Sequence, residues 1–265
     1  MNRRKFLMTV ATATGLAGCI GGGRDSTPKG TATSEPTPGS IPESTPEATP
    51  EQSTDSTPEP TAESSPTPSL TIQNQSLSAA DTPFHNAYAE AVIENNGSAR
   101  CGPIELTSRW FDDSDSFIGE ETVVLPTLGA GERWIARVGT SKEREEIDDF
   151  ELSGEYEVSP GPTVAGLSIV DDSLNVEDEY SGTIRAEVEN TRDESLFMAS
   201  FYGVIYDNNG RAIAGREDRE SDISPGEDLF FETTISTTRS AHRITKAANH
   251  MVLVTSSEDS ETRQI

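Results

Sequence analysis

The sequence predicts an all-β protein: two tandem immunoglobulin-like β-sandwich modules following a disordered stalk. Three observations carry this expectation. Residues 69–158 and 165–256 align with each other at a constant offset of 95 over most of their length. Within each copy, short runs of strand character are separated by turn residues roughly every 8 to 12 positions, the spacing of a sandwich. Residues 20–68 hold almost no apolar side chains, so the apolar content that can build cores lies in the two copies.

Residues 1–18 read as a signal peptide. Arg3-Arg4-Lys5 supply the positive end, and an apolar run extends from Phe6 to Gly18. That run is too short to span a bilayer, which takes roughly 20 residues. The arginine pair followed by Phe6-Leu7 resembles the Tat export signal, which passes folded proteins. Leu16-Ala17-Gly18-Cys19 resembles a lipobox, in which the cysteine becomes the lipidated first residue. These resemblances imply Arg3 and Arg4 as the export signal and Cys19 as the lipidation site. They place the mature protein outside the cytoplasm, on the outer face of the cytoplasmic membrane. Each buried CH₂ contributes about 0.8 kcal/mol, so two long chains hold a soluble domain there.

The stalk is expected over residues 19–68. Thr-Pro occurs six times, from Thr27-Pro28 to Thr67-Pro68, among scattered acids and with no apolar periodicity. Nothing there offsets the entropy of ordering, and proline favours extended chain. Its reach lies between roughly 40 Å as a coil and 150 Å fully extended. Thr/Ser/Pro stalks carry O-glycans outside cells, and a bare spacer fits equally well.

Each copy then reads as strands. Tyr88–Asn95 and Thr183–Asn190 half-alternate and end in Asn, a turn residue. Ile104–Asp112 and Met198–Asp207 alternate apolar positions. Asp207-Asn208-Asn209-Gly210 is a hairpin signal, with Asp112-Asp113-Ser114-Asp115 in the same place of the first copy. Ala130-Gly131 and Pro225-Gly226 open the strands Arg133–Val138 and Leu229–Ile235. Final strands are expected near Glu155–Val158 and Met251–Thr255, preceded by helical turns in Ser141–Glu146 and Ser240–Ala248. Ser159-Pro160-Gly161-Pro162 reads as a short stiff joint, and residues 257–265 as an acidic tail.

Val188-Glu189-Asn190, Phe201 to Tyr206-Asp207, Gly210 and Pro225-Gly226-Glu227 together resemble the FxLYD family of extracytoplasmic β-sandwich modules. The first copy departs from the pattern, with Trp110-Phe111-Asp112 and Ala130-Gly131-Glu132. The resemblance implies a fold and a cell-surface setting. Its motifs are turn and core residues, so it implies no catalytic residue.

Candidate chemistry is sparse. His85 shares its copy with Cys101, while His242, His250 and Met251 lie in the other, so neither copy holds the two His, Cys and axial ligand of a blue-copper site. Cys101 has no second cysteine to pair with after Cys19 and reads as a buried structural thiol. Asp112, Asp113 and Asp115 resemble half of a calcium loop but lack its Gly and bidentate Glu, so a solvated hairpin competes with weak cation binding. Asn74-Gln75-Ser76 and Asn96-Gly97-Ser98 are N-glycosylation sequons at Asn74 and Asn96. Trp110 and Trp134 read as core, although an exposed pair would suit a sugar. No nucleophile elbow or phosphate loop appears, so catalytic, cofactor and metal residues are expected to be none.

The charge completes the reading. With 46 Asp+Glu against 20 Lys+Arg, the net charge of −26 disfavours nucleic acid and anionic lipid as partners. Lysine is scarce among the basic residues, and the composition resembles that of proteins from halophilic archaea. The expected role is non-enzymatic interaction or structural support at the envelope. The expected partners are the membrane, through the lipid on Cys19, and an envelope protein or glycan. The alternative is a ligand-binding accessory lipoprotein of a transport system, or a surface sugar-binding protein.

Overall fold

The computed structural model describes residues 66–158, 164–245, 248–256 and 261–265. The expected signal peptide with Arg3 and Arg4, Cys19, the expected stalk to residue 65 and the whole of the expected joint at 159–162 lie outside the described residues. The described chain is all-β, with one 3₁₀ turn at Arg144–Glu146 and no helix long and apolar enough to cross a membrane.

In the first copy, β1 (Leu70–Ala79), β2 (Ala87–Asn95) and β5 (Arg133–Thr140) form one sheet face, in that order. Strands β6 (Asp149–Val158), β3 (Ile104–Phe111) and β4 (Phe117–Leu125) form the other. The second copy repeats this pairing. Strands β7 (Leu167–Val176), β8 (Ser181–Asn190) and β11 (Leu229–Ser236) oppose β12 (Asn249–Ser256), β9 (Leu196–Tyr206) and β10 (Ala212–Ile223). Alternation decides which side chains turn inward, because successive Cβ atoms point to opposite faces. Strand β2 buries Ala87, Ala89, Ala91, Ile93 and Asn95, and β3 buries Ile104, Leu106, Ser108 and Trp110. The first core gathers Trp110 and Trp134 with Ile93, Leu106 and Leu125. The second stacks Phe201 on Phe231 at 4.8 Å between ring centroids, among Ile184, Val188 and Ile205. Each such side chain contributes roughly 1.5–3 kcal/mol by leaving water.

The turns repeat bond for bond at the offset of 95. Asp112 Oδ1 accepts from the N–H groups of Ser114 and Ser116, each at 2.9 Å, and Asp207 Oδ1 accepts from those of Asn209 and Arg211 at 2.8 and 3.0 Å. Glu132 accepts from Gly129 N–H at 2.7 Å as Glu227 does from Ser224 N–H at 2.9 Å. Asn95 accepts from Gly97 N–H and Asn190 from Arg192 N–H, both at 3.1 Å. Gly131 and Gly226 sit at φ 75° and 68°, where a Cβ is strained, which is why glycine stands at both positions.

Four features differ from the sequence expectation. Strands β1 and β7 have no counterpart among the expected strands, and β4 and β10 are signalled only by the hairpins preceding them; β10 runs through Arg216-Glu217-Asp218-Arg219-Glu220, whose polarity hides a strand. The described part of Ser240–Ala248 is turn and irregular chain rather than helical. The end of the expected acidic tail forms a strand, β13 (Glu261–Gln264), which pairs antiparallel with β6 of the first copy. There Ile265 N–H donates to Gly154 O at 2.8 Å, and the Ile265 side chain packs on the first core. Finally, the copies share a sheet. A single parallel bridge, Ala212 to Trp134, joins β10 to β5 and makes a six-stranded order β1-β2-β5-β10-β9-β12.

Candidate functional site at the module junction

The residues singled out from the sequence scatter. Cys101 is buried at an isolated bridge with Leu128, donating to the Leu128 carbonyl at 3.6 Å. Burial pushes its thiol up to about 12, despite the opposing pull of Arg100. A thiol so rarely ionised is a poor nucleophile. Asp112 spends one carboxylate oxygen on its own turn, and the equivalent Asp207 shows this to be hairpin construction. Burial raises Asp207, but bonds from the Arg211 side chain and from two backbone N–H groups outweigh it and hold the carboxyl below its ordinary range. Asn74 and Asn96 are both exposed. Asn74 lies at a bulge in β1 with φ 53°, and Asn96 follows β2 and donates to Thr71 Oγ1 at 2.9 Å. Trp110 and Trp134 are core residues.

The three histidines stand apart, and two of them bind the modules together. His85 Nε2–H donates to the Thr238 carbonyl of the second copy at 2.6 Å. His242 Nε2–H donates to the Ile135 carbonyl of the first copy, also at 2.6 Å. Thr82 Oγ1 positions His85 by accepting its backbone N–H at 3.3 Å. Burial, helped by the charge of Arg137, presses His242 down to about 3, so the ring is neutral. The Ile135 bond opposes this shift without cancelling it. His250 faces Asp172 at 3.6 Å, within its own module.

Further contacts cross the junction. Arg137 donates to Ala241 O at 3.3 Å while paired to Glu90 at 2.7 Å. Arg243 reaches Asp81 at 3.2 Å and Glu179 at 2.7 Å. Tyr206 donates to Glu132 at 3.2 Å, and burial together with that carboxylate raises its phenol. Gly215 of β10 admits Pro126 so closely that a Cβ would stand 2.7 Å from Pro126 Cδ.

Two hollows flank β5 at this junction. One, of about 380 Å³, is lined by Ile135, Arg137, Arg211, His242 and Arg243, with Asp81 and Asp207. Each of its three arginines already has a carboxylate partner. The other, of about 370 Å³, lies between β4 and the strands β10 and β11, over Trp134. Trp134 and Ile135 point to opposite faces of β5, and Ile213 of β10 lines both hollows. Reading the sequence residue by residue did not find these arginines. The available signal was arginine at 137, 211, 216, 239 and 243, the five that line the two hollows, in a chain otherwise dominated by acids.

No family model matches the chain, and no curated protein matches it. Among the solved structures that match is a Bacteroides fragilis protein assigned as a beta-galactosidase, 8% identical, with a TM-score of 0.25. The match covers 73% of this chain and 34% of that one, so the chain spans about a third of that protein's length. At this similarity nothing carries over.

Proposed function

We propose that this chain is a lipid-anchored envelope protein of FxLYD type, whose paired modules serve a non-enzymatic interaction or structural role. The observation that supports it most is the junction. Two buried or half-buried histidines, one from each module, donate to a backbone carbonyl of the other module. Polar groups placed in this way tie the modules into one rigid head, which suits presentation of a fixed surface away from a membrane. The Arg3-Arg4 signal and Leu16-Ala17-Gly18-Cys19 supply the anchoring side of the reading. Cys19→Ser should release the protein into the medium, while Arg3→Lys with Arg4→Lys should retain it inside the cell. Fractionation that finds the Cys19→Ser protein in the membrane pellet at wild-type level would reject the anchor. Cross-linking on intact cells would then identify the envelope protein or glycan the head meets. A second reading, ligand binding by the head, is favoured by the hollow over Trp134.

A further inference from the structure

That hollow differs in charge from its neighbour. Arg216 and Arg239 line it, both exposed, and neither forms an ion pair or hydrogen bond with any other described residue through its side chain. None of its described lining residues is Asp or Glu, although the chain carries 46 of them. In a protein of net charge −26, two uncompensated guanidinium groups over an acid-free hollow make a local positive site. Guanidinium forks match carboxylate geometry.

Two independent observations point the same way. The Trp134 indole N–H is buried without an acceptor, and buried donors are normally paired. Trp110 of the same core lacks an acceptor as well, but of the two only Trp134 lines this hollow, so an anion reaching its N–H there would supply the missing acceptor. The lining also holds Val124, 51% exposed on β4, the edges of the buried Ile213 and Ile235, and the hydroxyl residues Thr122, Thr234, Ser236 and Ser240. A ligand with an apolar body would cover Val124. The volume of about 370 Å³ falls in the small-molecule range.

We infer that the hollow over Trp134 binds a small organic anion, a carboxylate on an apolar body, with Arg216 and Arg239 holding the carboxylate and Val124, Ile213 and Ile235 contacting the body. The inference does not depend on how the chain is exported or anchored. The test is a titration of the ¹⁵N-labelled full chain with benzoate and hexanoate at constant ionic strength, following the assigned Trp134 indole N–H signal. Benzyl alcohol and hexanol serve as neutral counterparts. A saturable shift with the carboxylates, and at least about tenfold weaker binding in Arg216→Gln with Arg239→Gln, is expected, since a charged bond is lost at each position. Arg211→Gln, in the other hollow, should leave the affinity unchanged. The inference is overturned if no saturable shift occurs or if the alcohols bind as well as the acids. It is equally overturned if the double variant binds like wild type, or if Arg211→Gln weakens binding as much as the double variant does.

Discussion

His242 couples the junction to pH. Its ordinary value of 6.5 falls to about 3 in the fold, because the ring is buried beside Arg137. Between those values the unfolded chain binds a proton that the folded chain refuses. The contribution is therefore fully present above pH 6.5 and is lost as pH falls toward 3, amounting to a few kcal/mol in order of magnitude. The lowered carboxyls of Asp207 and Glu232 also favour the fold above their ordinary values of 3.8 and 4.5, so they act lower in the range. His242→Gln keeps a donor for the Ile135 carbonyl and cannot titrate. Its unfolding midpoint should change less than wild type's between pH 6.5 and 4.5. Identical slopes for the two proteins would show that His242 is not the sensor. Cys101 offers a second check. Its buried thiol, held at about 12, should resist a disulfide reagent at mildly alkaline pH and react once denaturant opens the first core. Rapid labelling of the folded protein would contradict its burial.

Strand β13 solves an edge problem. Strand β6 would otherwise end its sheet with a row of unpaired backbone groups, a template for association. The C-terminal residues return from the second module and fill that edge, with Gln264 donating to Glu155 at 2.9 Å. Ile265 lies over Gly154, where a Cβ would stand 2.9 Å from its Cδ1. Deleting residues 261–265 should lower stability by roughly 1–2 kcal/mol, from the lost apolar contact and the lost pairing. It should also promote association through the bared edge, measurable by thermal unfolding and light scattering. A truncated protein as stable and as monomeric as the full chain would show that the strand contributes nothing. The sequence reading of an acidic tail failed here for a definable reason. Four residues are too few for a periodicity, and their strand character depends on an acceptor edge about a hundred residues earlier, at Glu155–Val158.

The charge acts across the full protein. At −26, like charges are crowded by folding and relieved by unfolding. The ion pairs that answer this are mostly at the surface, such as Arg185 with Glu232 at 2.6 Å and Arg243 with Glu179 at 2.7 Å, and exposed pairs contribute little each. Molar salt shortens the Debye length to about 3 Å and screens the repulsion, while salting-out ions strengthen apolar burial. Thermal unfolding of the full chain from about 0.1 M to about 3 M KCl should therefore show a rising midpoint. A flat or falling midpoint would reject salt dependence and leave an ordinary acidic protein kept soluble by its charge.

Local order was readable along the chain because its causes are local. Half-alternation in Tyr88–Asn95 marks a strand with one face to bury, Asp207 to Gly210 states where the chain reverses, and the offset of 95 states that this happens twice. The same pattern is silent about what a buried face or a free edge will meet. His85 and Thr238 are 153 residues apart, and His242 and Ile135 are 107 apart. Their pairing requires β5 to lie beside β10, an arrangement that no spacing within either copy encodes. Arg216 and Arg239 of the second copy and Trp134 of the first likewise line one hollow only because the two copies pack together. The modules were therefore legible in advance. Their union into one sheet, and the hollow it creates, arose where packing free energy brought distant surfaces together, because burial depends on the partner as well as on the residue.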